Sequence, residues 1–461
     1  MMRRSDAARL LGHVAVIVAA AGGTFSPGAV HAQGICFEPR RSLAVGDVPY
    51  SVFAADLNGD SVADLAVVSR SSNYVSVLMN NGDGSFAAAT NYPVGELPMS
   101  VFVADLDGDD DADLAVANSS SLSASVSVLK NNGDGTFAAA INYTTGGGPY
   151  SVVAADLDGD HDLDLAAADP LSVNVRVLKN NGDGTFGAAA SYVAGDAPWS
   201  VFAADLDGDS DVDLATANFY TDSVSVLKNN GDASFAAAIR FAVGDSPISV
   251  AAADLDGDND ADLAVANYSS QNVAVLTNNG DGTFAPAVFH LAWNLPTDVR
   301  AADLDGDGDA DLVVANRLSD NVSVLRNNGD GTFEAVPYYP AGDGPQSVSI
   351  ADLDGDDDLD LAVADYYGDS VSVLMNCTVP PCPCVCHADP QCDSVTSVHD
   401  VVRTVDVAFR GDSAPIDPLC PYEQTDVNCS GMTTVHDVVR MVNVAFRGAD
   451  KATEFCDPCA P

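Results

Sequence analysis

Basic residues are scarce in this 461-residue chain, where 19 Lys and Arg stand against 67 Asp and Glu for a formal net charge of −48. That imbalance argues against nucleic acid and against anionic membrane surfaces as partners. Beyond residue 32 no stretch approaches the roughly 20 apolar residues that a spanning helix requires, so no membrane span is expected. Histidine is almost missing from residues 33–378, which hold only His161 and His290, and no Ser, His and Asp pattern of a hydrolase stands out there. Cysteine is absent between Cys36 and Cys377, whereas eight of the ten crowd between Cys382 and Cys459. A boundary between two domains is therefore expected near Val379-Pro380-Pro381.

What the chain has in abundance is Asp at fixed intervals. The stretch Asp105-Leu106-Asp107-Gly108-Asp109-Asp110-Asp111-Ala112-Asp113-Leu114 has counterparts beginning at Asp56, Asp156, Asp205, Asp254, Asp303 and Asp352. The steps between them are 49, 51, 49, 49, 49 and 49 residues, so one supersecondary unit is stacked seven times. Within a unit, Ser151 to Ala155 is an apolar β-type run. Leu165 to Ala168 is a second, and Val173 to Leu178 alternates as a third strand should. Asn180-Asn181-Gly182-Asp183-Gly184-Thr185-Phe186 supplies a tight turn before a fourth strand that runs to about Tyr192. Four short antiparallel strands repeated radially predict a mainly β chain folded as a seven-bladed β-propeller.

The register predicts how the ring closes. Each turn Phe lies 19 residues before the next acidic loop, and Phe37 stands at that distance from Asp56. Residues 37 to about 45 are thus a displaced fourth strand, while the seventh unit stops at Asn376-Cys377 after its third. The N-terminal strand is expected to complete the last blade and so remove two free sheet edges. In the same register Cys377 matches Asn81 and Cys36 matches Ser85, the residues that flank an ordinary turn. A Cys36–Cys377 disulfide would replace the missing turn and, by the chain-entropy argument, contribute about 4 to 5 kcal/mol.

In every acidic loop, positions one, three, five and nine carry oxygen donors. These are Asp56, Asn58, Asp60 and Asp64, then Asp105, Asp107, Asp109 and Asp113, then Asp156, Asp158, Asp160 and Asp164. The remaining loops offer Asp205, Asp207, Asp209 and Asp213, then Asp254, Asp256, Asp258 and Asp262, then Asp303, Asp305, Asp307 and Asp311, and finally Asp352, Asp354, Asp356 and Asp360. Hard oxygen ligands without Cys or His suit Ca2+, about seven ions in all, and the Gly at position four permits the bend. Position twelve, Val67 or Val116 for example, lacks the bidentate Glu of an EF-hand. The D-L-D-G-D-x-D-x-D-L loops with their N-N-G-D-G-T-F turns resemble FG-GAP or VCBS-type repeats over about residues 36 to 377. That family forms calcium-binding propellers similar to the head of integrin α subunits, and the resemblance implies a structural role for the metal on one face of the ring.

The opposite face is where the units differ. After the turn proline stand Tyr50, Met99, Tyr150, Trp199, Ile248, Thr297 and Gln346, and neighbouring loops add Phe219, Tyr220, Tyr268, Arg317, Tyr366 and Tyr367. Aromatics on a regular scaffold suit a glycan or protein ligand, or else they plug the central channel.

The two ends of the chain read differently. Residues 1–32 have a basic start (Arg3, Arg4, Arg9), an apolar run from Leu10 to about Gly22 and small residues near Val30-His31-Ala32, the pattern of a cleavable secretory signal. A secreted or cell-surface location, in a bacterial source, is expected. Residues 33–378 are then the propeller, and 379–396 a Pro- and Cys-rich linker. Residues 397–461 form a small Cys-rich α-helical domain whose first loop starts near residue 389. Two segments there, Ser397 to Gly411 and Thr434 to Gly448, place Val and Phe at helical spacing. In the second copy Asp426, Asn428, Ser430, Thr434 and Asp437 occupy loop positions one, three, five, nine and twelve. This duplicated loop-helix resembles a type I dockerin, which implies one or two further Ca2+ ions, held in the second copy by Asp426, Asn428, Ser430 and Asp437, and a cohesin-like or cell-surface partner. The first copy departs from that pattern at Gln391 and Ser394. The chain as a whole reads as a non-enzymatic adhesion or carbohydrate-binding protein. The alternative is a polysaccharide-degrading lyase or hydrolase, or its accessory module, delivered to a scaffold.

Overall fold

The structure, a computed structural model, describes residues 35–335 and 338–377. The signal segment, the linker and the dockerin-like segments lie outside the described residues. Within them the protein is all β, with seven antiparallel sheets and no helix. The third blade shows the unit: Ser151–Ala155, Asp164–Asp169, Asn174–Leu178 and Ala190–Val193 pair in that order. All six residues of each second strand are buried, as in Asp113–Asn118, because neighbouring blades cover both of its faces. Hence the strand reads as an unbroken apolar run rich in Ala and Val, with no alternation. Fourth strands are mostly exposed and turn one aromatic ring inward. Tyr92, Tyr143, Tyr192 and Phe241 each meet the turn Phe of the following blade edge-on, with ring centroids 5.0 to 5.3 Å apart. His290 fills this role against Phe333, and burial pushes its pKa down.

The 51-residue step has a local origin. Asn118 pairs with Ser125 where the first blade pairs Ser69 with Tyr74, so two extra residues are looped out after the second strand of blade two. The outer strand of blade six is split into Phe333–Ala335 and Tyr339–Pro340, both pairing with Asn321–Asn327.

Ring closure follows the register. Arg41–Ala44 pairs antiparallel with Ser370–Leu374 as the outer strand of the seventh sheet. Phe37 bridges Asn376 as Phe86 bridges Asn80. The Cys377 N–H donates to the Cys36 carbonyl at 3.1 Å, as Asn81 donates to Ser85 at 2.9 Å. Cys36 and Cys377 are disulfide-bonded, with an S–S distance of 2.06 Å and Cα atoms 5.4 Å apart.

Blades are locked together by the first Asn of each turn. The Nδ2 groups of Asn80, Asn131, Asn180, Asn229, Asn278, Asn327 and Asn376 donate to the backbone carbonyl of the loop Leu in the preceding blade at 2.8 to 3.0 Å. The first of these, Asn80 to Leu353, spans the closure. The acceptor leucines bury their side chains, with Leu57, Leu157, Leu206 and Leu255 each 1% exposed. We expect Asn278→Ala, which strands the Leu206 and Ala261 carbonyls, to cost about 2 to 3 kcal/mol in urea unfolding. The exposed neighbour Asn279→Ala should cost well under half of that, and equal losses from both variants would remove the inter-blade bond from the account.

Candidate functional site

The loop joining the first two strands of each blade is held by its own carboxylates. In the first loop Asp56 Oδ1 accepts from Gly59 N at 2.8 Å and Oδ2 from Ser61 N at 2.7 Å, and Gly108, Gly159, Gly208, Gly257 and Gly355 make the former bond in their loops. The glycine at position four takes a positive φ, 78° at Gly59 and Gly108, as the bend demands. Position nine is deepest. Asp64 is wholly buried, its Oδ1 accepts from Asn80 N of the turn at 2.7 Å and its Oδ2 from Leu57 N of the loop at 3.1 Å, and every blade repeats this pair of bonds.

The carboxylates converge. One oxygen from each of Asp105, Asp107 and Asp113 lies within 4.8 Å of the others, and the same holds for Asp205, Asp207 and Asp213, for Asp254, Asp256 and Asp262, and for Asp303, Asp305 and Asp311. In the third loop the converging set is Asp156, Asp158 and Asp160. At position five, Asp60 Oδ1 accepts from Val62 N at 2.9 Å, and Asp109, Asp160, Asp209, Asp258, Asp307 and Asp356 accept equivalently. The donor set therefore uses positions one, three, and five or nine.

Whether these residues fit a hard cation is decided at position three. Oδ1 of Asp107, Asp158, Asp207, Asp256 and Asp354 is buried without any hydrogen-bond donor. A lone buried carboxylate oxygen is costly, and a cation in the cluster would satisfy all five. Burial and neighbouring carboxylates push Asp256 and Asp354 up. Position nine is pushed further by burial, from 3.8 to about 6 at Asp64 and Asp262, and to about 7 at Asp113, Asp164, Asp213, Asp311 and Asp360. Backbone N–H bonds only partly offset it.

One feature of the loops was not visible in their acidic pattern. Lys130, Lys179 and Lys228 reach from the end of the third strand to Asp107, Asp158 and Asp207 at 3.0 to 3.2 Å, and Arg326 lies 3.5 Å from Asp305. The lysines also bond the carbonyls of Asp183, Asp232 and Asp281 in the next blade. Their signal in the sequence is a basic residue immediately before the turn, at a position filled by Met79, Thr277 and Met375 elsewhere.

At the opposite ends of the same strands the chemistry changes. Tyr50, Met99, Tyr150, Trp199, Ile248, Phe219, Tyr268, Arg317, Tyr366 and Arg70 line a cavity of about 270 Å³. Below it the inward faces of the first strands line the axial channel, about 370 Å³. The cavity wall is rigidly packed: Tyr150 meets Trp199 edge-on at 4.9 Å, and Trp199 stacks on Phe219 at 5.0 Å and 26°. Burial raises the pKa of the Tyr50 phenol, an effect that Arg317 and Arg70 partly oppose. Tyr220 and Tyr367, each one residue beyond a lining position, point outward and are 70% and 55% exposed. Thr297 and Gln346 line the channel rather than the upper cavity. Arg70 was missed by the aromatic pattern, although it occupies the repeat position of Phe219, Tyr268, Arg317 and Tyr366.

Seven four-stranded blades, acidic loops at one end and a variable cavity at the other define a β-propeller with repeated acidic loops. The FG-GAP-like repeat family matches residues 56–116, 105–167, 158–216, 205–265, 254–314 and 303–363, and the chain belongs to it. No curated protein matches. Among solved structures, virginiamycin B lyase from Staphylococcus aureus is similar at 14% identity, over 74% of this chain and 99% of that one, with a TM-score of 0.52. The BBS1N domain solved in complex with ARL6DN is similar at 13% identity over 74% and 96%, TM-score 0.55. An Agrocybe aegerita lectin studied for recognition of non-reducing terminal N-acetylglucosamine aligns at 21% identity over 66% and 90%, TM-score 0.47. At these identities the likeness is one of fold.

The pKa directions yield a signed expectation. In chelator, the position-nine carboxyls have folded pKa values above 3.8, so the stability they contribute is complete below about pH 4 and is lost as pH rises through about 6 to 7. Urea midpoints of the metal-free chain should therefore fall between about pH 5 and pH 8, and added divalent cation should flatten or reverse the trend. A midpoint indifferent to both pH and cation would contradict it.

Proposed function

We propose that this protein is an exported, calcium-loaded propeller that recognises a glycan through its aromatic cavity and is tethered through a dockerin-like tail in an adhesion or recognition role. The observation that carries the reading is the cavity itself. Six aromatic side chains, Tyr50, Tyr150, Trp199, Phe219, Tyr268 and Tyr366, converge there from five blades on an otherwise repetitive ring. Flat rings lend themselves to stacking on the C–H faces of sugars, and their rigidity keeps the ordering cost of binding low. Calcium is the cation assigned to the rim loops, where every side-chain donor is an oxygen. Bound there, it supplies positive charge to converging carboxylates and stabilises the loops without taking part in chemistry. Among the described residues no helix is long and apolar enough to cross a membrane.

Two measurements test this reading. Metal analysis should find about seven Ca2+ ions in the propeller, and chelation should lower the melting temperature by about 10 °C or more. Fewer than about three ions with an unchanged melt would sink the metal assignment. On a glycan array, Trp199→Ala should weaken the best ligand at least tenfold, roughly the value of a central aromatic anchor, while Trp293→Phe leaves binding intact. Binding that survives Trp199→Ala would move the ligand elsewhere. Release of new reducing or unsaturated ends during incubation would instead assign the chain to polysaccharide degradation.

A further inference from the structure

The cavity holds an anomaly of charge. In a chain of net charge −48 its lining contains two arginines and not one carboxylate. Elsewhere in the propeller Lys130, Lys179, Lys228, Arg176, Arg300 and Arg326 each lie within 3.5 Å of an Asp carboxylate and Arg41 lies 3.4 Å from Glu38, whereas the exposed Arg40 and Arg240 have no such partner. Among the described residues neither Arg70 nor Arg317 has such a partner. The Nε of each is buried with no hydrogen-bond acceptor.

Both arginines are held in place by the fold. They occupy the same repeat position in blades one and six, directly after the second strand. There Arg70 N donates to Val48 O and Arg317 N to Leu295 O, both at 2.9 Å. The Arg317 guanidinium carbon lies over the Tyr366 ring, 3.7 Å from its centroid, and the group donates to the Tyr367 hydroxyl at 3.4 Å. The cation–π contact holds the group in place while leaving further N–H donors for a ligand. Two half-buried guanidinium groups without carboxylate partners, set among sugar-sized aromatic surfaces, call for an anionic oxygen acceptor on the ligand.

Building on the glycan reading, we infer that the cavity selects an acidic saccharide, a hexuronate-bearing glycan whose carboxylate is received by Arg317 and Arg70 while its ring stacks against Trp199 and Phe219. The surrounding charge sharpens the choice. A protein this acidic repels polyanions at long range, so attraction falls to places where cations lack a carboxylate partner, and the cavity joins two such cations to aromatic walls. A carboxylate meeting an arginine fork gains paired, charge-assisted hydrogen bonds, which a hydroxymethyl group on a neutral hexose cannot reproduce.

The test uses the purified chain in constant millimolar Ca2+, titrated with tri-galacturonate and with the matching neutral galactose trisaccharide as probes. The uronate should bind at least about tenfold more tightly, and its affinity should fall between about 50 and 500 mM NaCl. Arg317→Gln and Arg70→Gln should each abolish most of that preference while leaving the melting temperature unchanged. Arg317→Lys, which keeps the charge but loses the fork, should restore only part of it, and Arg240→Gln on an exposed outer strand should have no effect. Equal affinity for both probes, with binding still sensitive to Trp199→Ala, would overturn the acidic preference and leave glycan recognition standing. Uronate binding indifferent to both Arg→Gln variants would also overturn it, whereas failure of any saccharide to bind would bring down the glycan reading and this inference together.

Discussion

In each blade one buried carboxylate makes the bends at the rim obligatory. The position-nine Asp has no solvent to turn to, and its two oxygens are met by two backbone N–H groups: one from the loop it closes and one from the turn that follows two strands later. Asn could not substitute, because half of its amide is a donor and would face a donor. From that fixed point the turn's first Asn reaches across to the preceding blade, so loop, turn and neighbour are registered by a single chain of hydrogen bonds. The arrangement concentrates negative charge, and the ionised form of that carboxylate is the form that burial opposes. A fold built this way carries a standing demand for cations at its rim, met in part by three lysines and an arginine from its own strands.

The two ends of the blades divide the chemistry between them. Where the first strand ends, seven loops repeat almost without variation because each must satisfy the same buried geometry. Where it begins, no such demand exists. The residue after the proline is free to be Tyr, Met, Trp, Ile, Thr or Gln while the backbone bond beneath it stays the same in six blades; in the third, Pro170 has no N–H to give. Selection for a ligand can act on that end without disturbing the other.

Strand count, blade order and ring closure could be read directly from the chain because strict register leaves no freedom. Once Phe37 stands 19 residues before Asp56, the displaced strand and the position of Cys36 opposite Cys377 follow. Side-chain direction was less legible. Tyr220 and Tyr367 differ from the lining residues Phe219 and Tyr366 by a single step, and one step after a strand end is enough to turn a ring from the cavity to solvent. Arg70 escaped notice for a different reason. A search for aromatic residues passes over a cation, and only comparison of equivalent positions around the ring places it beside Arg317. The lysines at the rim were hidden likewise, since a salt bridge between the end of one strand and a loop behind it leaves no local pattern.

The Cys36–Cys377 bond has a mechanical meaning. The two sulfur-bearing residues sit 5.4 Å apart, although 341 positions of chain separate them, and the whole ring of blades lies on the loop between. Tension applied between the segments that precede Cys36 and follow Cys377 is carried across a covalent bridge, and none of it needs to pass through the hydrogen-bonded strands. A copy pulled by its two ends would keep its cavity shape under load, with the reducing power of its surroundings deciding whether that protection lasts.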